Sequence, residues 1–300
     1  MADFTPIPKN IEESNRSVRV FVSYGKDAWN RLKKNKVAVA SLVFIIFVIL
    51  FGFAGSVFFP NYTKQNLLNT FAPPGSPGAP LGTDELGRDL LSRLVRGTKI
   101  SISIGLTVAT INIIIGSVYG GIAGYFGGAA DMIMMRIVDI VISIPEMIIL
   151  ILLLTIISKG MPTLILALCL TGWTGTARLV RGQVLQLREQ EYILSARVLG
   201  AGKFFIILRH LLPNAIDPII VRFAMSIPGV IFAEAFLSYI GLGVSIPDAS
   251  WGNLAQVGSN QFPNYLWLFF MPATLFSLTM LAFNLLGDGL RDALDPKQRW

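Results

Sequence analysis

The 300-residue sequence is 53% apolar and only 14% charged, with a mean hydropathy of +0.62. A soluble domain carries about 25% charged residues, so much of this chain's surface meets lipid. The net charge of +7 does not mark a nucleic-acid binder, because the basic residues gather beside apolar spans, where lipid head groups and the positive-inside rule account for them. The single cysteine, Cys169, lies in an apolar run and there is one histidine, which excludes a disulfide framework and leaves almost nothing for a His/Cys metal site.

Residues 1–36 form a polar arm carrying Lys9, Arg16, Arg19, Lys26, Arg31, Lys33, Lys34 and Lys36. The first apolar span, 37–59, is too long for a signal-peptide core and has no small-residue cleavage site after it, so it is expected to be an uncleaved anchor. Segment 60–99 divides in two. Residues 72–82 are a Pro/Gly loop. Beyond it Thr83 is expected to cap an amphipathic outer-surface helix, with Leu86, Leu90, Leu91, Leu94 and Val95 on one face and Arg88, Asp89, Ser92, Arg93 and Arg96 on the other.

Five more spans follow at about 100–123, 132–157, 162–177, 214–240 and 265–286, each near the roughly 20 residues that cross a bilayer. Together, residues 100–286 make a five-helix core, and 287–300 a polar tail. Segments 1–36, 178–212 and 287–300 hold 17 Lys and Arg, against 6 in segments 60–99, 158–161 and 241–264. That asymmetry predicts an all-α membrane protein of six transmembrane helices with both termini in the cytoplasm.

The cytoplasmic segment between spans four and five is the informative one. From Arg188 to Leu199, the residues Tyr192, Ile193, Ala196 and Leu199 share one helical face. Gly200 and Gly202 are expected to end that helix, and a second one, 203–211, is expected to stop at Pro213. An apolar stripe rimmed by charge in such a helix–turn–helix suits a partner protein; an amphipathic helix lying on the membrane fits the periodicity equally well.

This segment resembles the cytoplasmic signature of ABC importer permeases: Glu-Ala-Ala, three residues, Gly, nine residues, Ile, one residue, Leu-Pro. Aligned on Gly200, the second Ala falls on Ala196 and Leu-Pro on Leu212 and Pro213. Leu194 replaces the Glu, Ser195 the first Ala and His210 the Ile. GTDELGRDLLSRLVRGTKISISIG (82–105), AFLSYIGLGV (235–244), ASWG (249–252), GDGLRDALDPK (287–297) and the RLKKNKVAVASL arm resemble the C-type subunit of the dipeptide/oligopeptide branch. The resemblance covers nearly the whole chain.

It implies the type I importer permease fold in a bacterial cytoplasmic membrane. It also implies a second homologous permease, two cytoplasmic ATPase subunits that bind ATP and Mg, and an extracytoplasmic peptide-binding protein. Residues 188–213 become the coupling loop, with Glu191, Tyr192, Ile193, Ser195, Ala196, Arg197, Leu199, Gly200, Leu212 and Pro213 as its candidates. No GxxxxGK[ST], GxSxG or HExxH motif occurs, so nucleotide handling is expected of partners and no catalysis or cofactor of this chain. Related importers carry dipeptides or nickel complexes, and an ion-coupled secondary transporter is a further alternative.

Ionisable residues inside spans are costly against lipid, and so Asp139, Glu146 and Glu234 are candidates for a translocation path. Asp139 also suits a pair with Arg136, and Glu146 follows Pro145, where a kink is expected. Asp217 and Arg222 suit the solvated end of span five or a place against the coupling loop. Glu234 suits either a path or partner-facing role or a hydrogen bond to a neighbouring helix.

Overall fold

The computed structural model describes residues 24–157 and 160–295. The basic residues Lys9, Arg16 and Arg19 of the arm and Lys297 and Arg299 of the tail lie outside them. Within the described residues the chain is helical and without a sheet. A short helix, α1 (Tyr24–Lys34), turns at Asn35 into α2 (Lys36–Phe53). The Asn35 Oδ1 accepts from the Val37 and Ala38 amides at 3.1 Å, satisfying two donors that a helix start leaves open. Helix α2 and one further turn make the first span, Lys36–Phe58.

The second helix of the bundle differs from expectation. Thr83 caps nothing: its hydroxyl donates to the Asn69 carbonyl at 2.6 Å and accepts from the Ala72 amide. Residues 83–89 form a tight loop around Asp84, which accepts from the Leu86 and Arg88 amides and from Arg88 Nε at 2.7 Å. The helix starts at Leu90, capped by Asp89, and runs unbroken into the membrane as α3 (Leu90–Phe126). At 1.5 Å per residue its 37 residues span about 55 Å, well beyond the roughly 30 Å of hydrocarbon. Arg88 and Arg93, expected on a polar outer face, are buried against Asp84.

The third span is broken. Helix α4 (Gly128–Ser143) and α5 (Glu146–Ile156) meet at 78° across Ile144 and Pro145, the kink the sequence suggests. Helix α6 (Met161–Gly172) continues almost directly into α7 (Thr174–Leu187), making one span, Met161–Leu187. Helix α8 (Glu191–Val198) and α9 (Lys203–Ile206) form the helical hairpin. A π-helical turn, Ile207–Leu211, follows, and Pro213 lies inside a further turn, Leu212–Asn214, rather than ending the segment. Then come α10 (Ile216–Tyr239), α11 (Trp251–Asn260) and α12 (Leu266–Leu294). Five helical stretches among the described residues are long and apolar enough to cross a membrane, and the bent pair counted as one span makes the expected six.

Close backbone approach fixes the packing. A Cβ on Gly120 of α3 would lie 2.3 Å from the Ala177 carbonyl of α7, and one on Gly105 would lie 2.6 Å from the Ile231 side chain of α10. Small residues at such crossings let helices meet where lipid offers no hydrophobic drive. Two apolar clusters fill the bundle between its long helices. A third, around Val180, Val184, Ile193, Ile206 and Leu211, lies under the helical hairpin. The outward faces carry Val43, Ile46, Phe47, Leu50, Leu278 and Leu281, all exposed, as a helix bundle solvated by lipid requires.

Candidate functional site

The hairpin of α8 and α9 is a fixed object rather than a loose loop. Its turn is a Schellman motif: the Gly200 amide donates to the Arg197 carbonyl and the Ala201 amide to the Ala196 carbonyl, each at 3.0 Å. Gly200 has φ +81°, the left-handed conformation that this motif needs and that glycine adopts without strain. Ile193 on α8, Ile206 on α9 and Ile207 and Leu211 in the π-turn are buried against Val180 and Val184 of α7 and Ile219 of α10.

Three polar contacts tie the hairpin and the residues leading into it to the end of α3. Arg188 Nη1 donates to the Gly124 carbonyl at 3.0 Å. The Arg197 guanidinium lies 5.0 Å from the Tyr125 ring centroid, and Lys203 Nζ lies 5.4 Å from that of Phe126. The hairpin thus contacts α3, α7 and α10 at once.

The outer side of the hairpin corrects the face drawn from the sequence. Ile193 points into the core, whereas Val198 and Leu199 are 87% and 86% exposed. Phe204, Phe205 and Leu208 join them, with Tyr192 and Leu194 also exposed. Phe204, Phe205 and Leu208 were not singled out by sequence; the pattern FFIIL gives no sign of which residues the π-turn aims inward. Glu191, Ser195 and Arg197 are exposed on the same hairpin, Ala196 is half-buried, and Leu212 and Pro213 sit at its base on the chain leading to α10. So many exposed apolar side chains beside charges form a surface suited to protein contact.

The membrane charges separate into two groups. Glu234 is wholly buried: Ser101 Oγ of α3 and Ser238 Oγ each donate to its carboxylate at 2.7 Å. The Trp251 amide of α11 donates to the Ser101 hydroxyl, and the Val244 amide to that of Ser238. Of its two expected roles, the structure has the hydrogen bond to a neighbouring helix, and Glu234 reaches no surface of the chain.

Asp139 and Glu146 do reach one. Asp139 pairs with Arg178 of α7 at 2.6 Å, not with Arg136, and both partners are about half exposed (48% and 50%). Arg178 lies nine residues before the end of α7, about 14 Å up that span. Glu146 is exposed at the start of α5 and accepts from Thr171 Oγ1 at 3.1 Å, and Arg136 is exposed on α4. Charges on a span surface at this depth do not suit hydrocarbon. Nearer the hairpin, Asp131 of α4 takes both Arg181 nitrogens of α7 in a bidentate pair at 2.5 and 2.6 Å. Asp217 and Arg222 line a cleft with Arg291 and Asp295, between the start of α10 and the end of α12. The described residues hold no cluster of three metal-ligating side chains.

Residues 113–300 match the model of the binding-protein-dependent transport system inner membrane component, and residues 23–74 that of the N-terminal TM domain of oligopeptide transport permease C. The dipeptide transport system permease protein DppC of Bacillus subtilis is 46% identical over 96% of this chain and 92% of its own length. The oligopeptide transport system permease protein OppC of the same organism is 44% identical over 99% and 97%, and that of Haemophilus influenzae 41% identical over 99% and 96%. Among solved structures, an inward-facing form of the MetNI methionine ABC transporter superposes with a TM-score of 0.56 at 19% identity. It covers 67% of this chain and 96% of the transporter chain.

Proposed function

This chain belongs to the binding-protein-dependent transport system inner membrane components, and we infer that it is a permease subunit of an ATP-driven peptide importer in a bacterial cytoplasmic membrane. The observation that carries the reading is the hairpin: an exposed apolar rim on a base wired to three spans. Such a part suits transmission of force from a cytoplasmic partner. Its rim residues Leu194, Val198, Leu199, Phe204 and Phe205 would sit in a groove of an ATPase subunit. Motion of that subunit would then pass through Ile193 and Ile206 to α7 and α10, and through Arg188, Arg197 and Lys203 to α3.

The rest of the machine is assigned to partners. Two ATPase subunits bind ATP and Mg, a second permease completes the path, and an extracytoplasmic binding protein delivers the peptide. This chain then works by having two arrangements that nucleotide and substrate favour differently. The path is assigned to the α4–α5 elbow, where Arg136, the Asp139–Arg178 pair and Glu146 are exposed within apolar spans. Peptides carry both charges, so a lining of both signs suits them better than a lining of one.

The docking assignment is tested by single cysteines in the assembled transporter with Cys169 replaced by Ser. Leu199→Cys is expected to cross-link to an ATPase subunit through a short bifunctional thiol reagent, with the yield changing when ATP is added. Cross-links from Leu199→Cys only to the second permease or to lipid overturn it.

A further inference from the structure

A groove runs along the outside of the bundle between α2 and α12, about 460 Å³ in volume. One wall extends from Lys36 to Phe44 on α2 and the other from Leu278 to Leu285 on α12. Apart from Ser41, its only polar lining is Lys36, at one end. The floor is tight, because a Cβ on Gly289 would lie 2.4 Å from that of Ala38, which locks the two helices below the groove.

The groove has the length of one lipid leaflet. From Lys36 to Phe44 the α2 axis rises about 12 Å, against about 15 Å for half of a 30 Å hydrocarbon core. A helix of a partner protein crossing the membrane would not stop at that depth; an acyl chain whose head group sits at Lys36 does. Charge at the same end agrees. Lys33 and Lys34 close α1 and Lys36 opens α2, all exposed, and no acidic side chain lines the groove. Nearby Asp27 and Asp292 line a separate cleft with Arg31 and Lys34, and Asp27 is paired with Arg31 at 3.1 Å. Trp29, half-exposed on α1 with Lys33 Nζ 5.2 Å from its ring, is the amphipathic side chain favoured at the head-group level.

We propose that this groove holds one acyl chain of an anionic glycerophospholipid, with the head group bound by Lys36 and its neighbour Lys33. Helix α1 then lies on the membrane surface as an interfacial helix, and the lipid joins it to α2 and α12. Nothing in this assignment depends on what the transporter carries.

The test uses the complete transporter reconstituted in vesicles containing a photoactivatable phosphatidylglycerol, with the labelled peptides mapped by mass spectrometry. Labelling of residues 36–44 and 278–285 is expected, competed by unlabelled phosphatidylglycerol and not by phosphatidylcholine. Lys36→Gln is expected to lower labelling about fivefold, the typical effect of one lysine at an anionic surface, while Lys36→Arg retains it. Ala40→Trp, which fills the groove and keeps the lysines, is expected to abolish labelling of 278–285. Equal competition by phosphatidylcholine, or cross-links from these segments mainly to the second permease, overturns the proposal. Undiminished labelling in both Lys36→Gln and Ala40→Trp overturns it as well.

Discussion

Gly200 offers a perturbation whose cost is almost purely one of backbone conformation. Its φ is +81°, and an added Cβ would meet nothing within 4 Å. Any penalty for a larger residue therefore comes from the left-handed conformation, about 1–2 kcal/mol for an ordinary side chain and at the upper end for a β-branched one. Helix α8 has eight residues, too few to persist unaided, and Ile193 is its one fully buried side chain. Burial of one isoleucine stabilises by about 1.5–3 kcal/mol, so the strain is comparable with the apolar anchorage of α8. A loss of about 2 kcal/mol shifts the ratio of rigid to disordered hairpins by roughly 30-fold. Gly200→Val is thus expected to leave insertion and complex assembly intact, to spare basal ATP hydrolysis, and to abolish most peptide uptake. Gly200→Ala should fall between, and Gly200→Asn should be nearest to the parent because asparagine tolerates this conformation. The assay is uptake per ATP hydrolysed in proteoliposomes. Undiminished uptake by the valine variant, or a ranking that follows side-chain volume instead of left-handed tolerance, refutes the reasoning.

Other predictions follow from the buried charges and the proposed path. Asp84→Ala leaves Arg88 and Arg93 buried without their counter-charge and should cost about 3–5 kcal/mol, read as a lower melting temperature and faster proteolysis of residues 60–89. Glu234→Ala strips the acceptor from Ser101 and Ser238 and should cost about 1–3 kcal/mol for each buried hydroxyl, whereas Glu234→Gln keeps one acceptor and should melt closer to the parent. In a Cys169→Ser background, Asp139→Cys and Glu146→Cys should react with water-soluble thiol reagents in the assembled transporter, with rates that depend on nucleotide, while Leu150→Cys stays protected. Equal reactivity at all three positions would remove the α4–α5 elbow from the path.

The spans and the hairpin's turn could be read from local pattern, because both are local in cause. Continuous apolar runs of the right length have one physical use, and a glycine after a short amphipathic helix has few. The start of α3 was missed because the Leu86-to-Val95 periodicity continues through a segment that long-range contacts hold out of a helix. Gly87 sits at φ +67°, and its missing side chain lets the Asn66 carbonyl approach to where a Cβ would stand. Arg88 and Arg93 looked like a polar face because the sequence does not show that Asp84 folds back beneath them. Ile193 falls on the outward stripe in the sequence for a similar reason: periodicity finds a stripe but not which body covers it. Glu234 shows the same limit, since its partner Ser101 lies 133 residues away.

The central claim is that this chain moves peptides by coupling to ATP hydrolysis in partner subunits. It is tested by peptide accumulation in proteoliposomes holding this chain, the second permease, the ATPases and the binding protein. Uptake is expected to require internal ATP, to persist when ion gradients are collapsed, and to disappear when the ATPase subunits are omitted. Uptake by the lone chain driven by a proton or sodium gradient would contradict it.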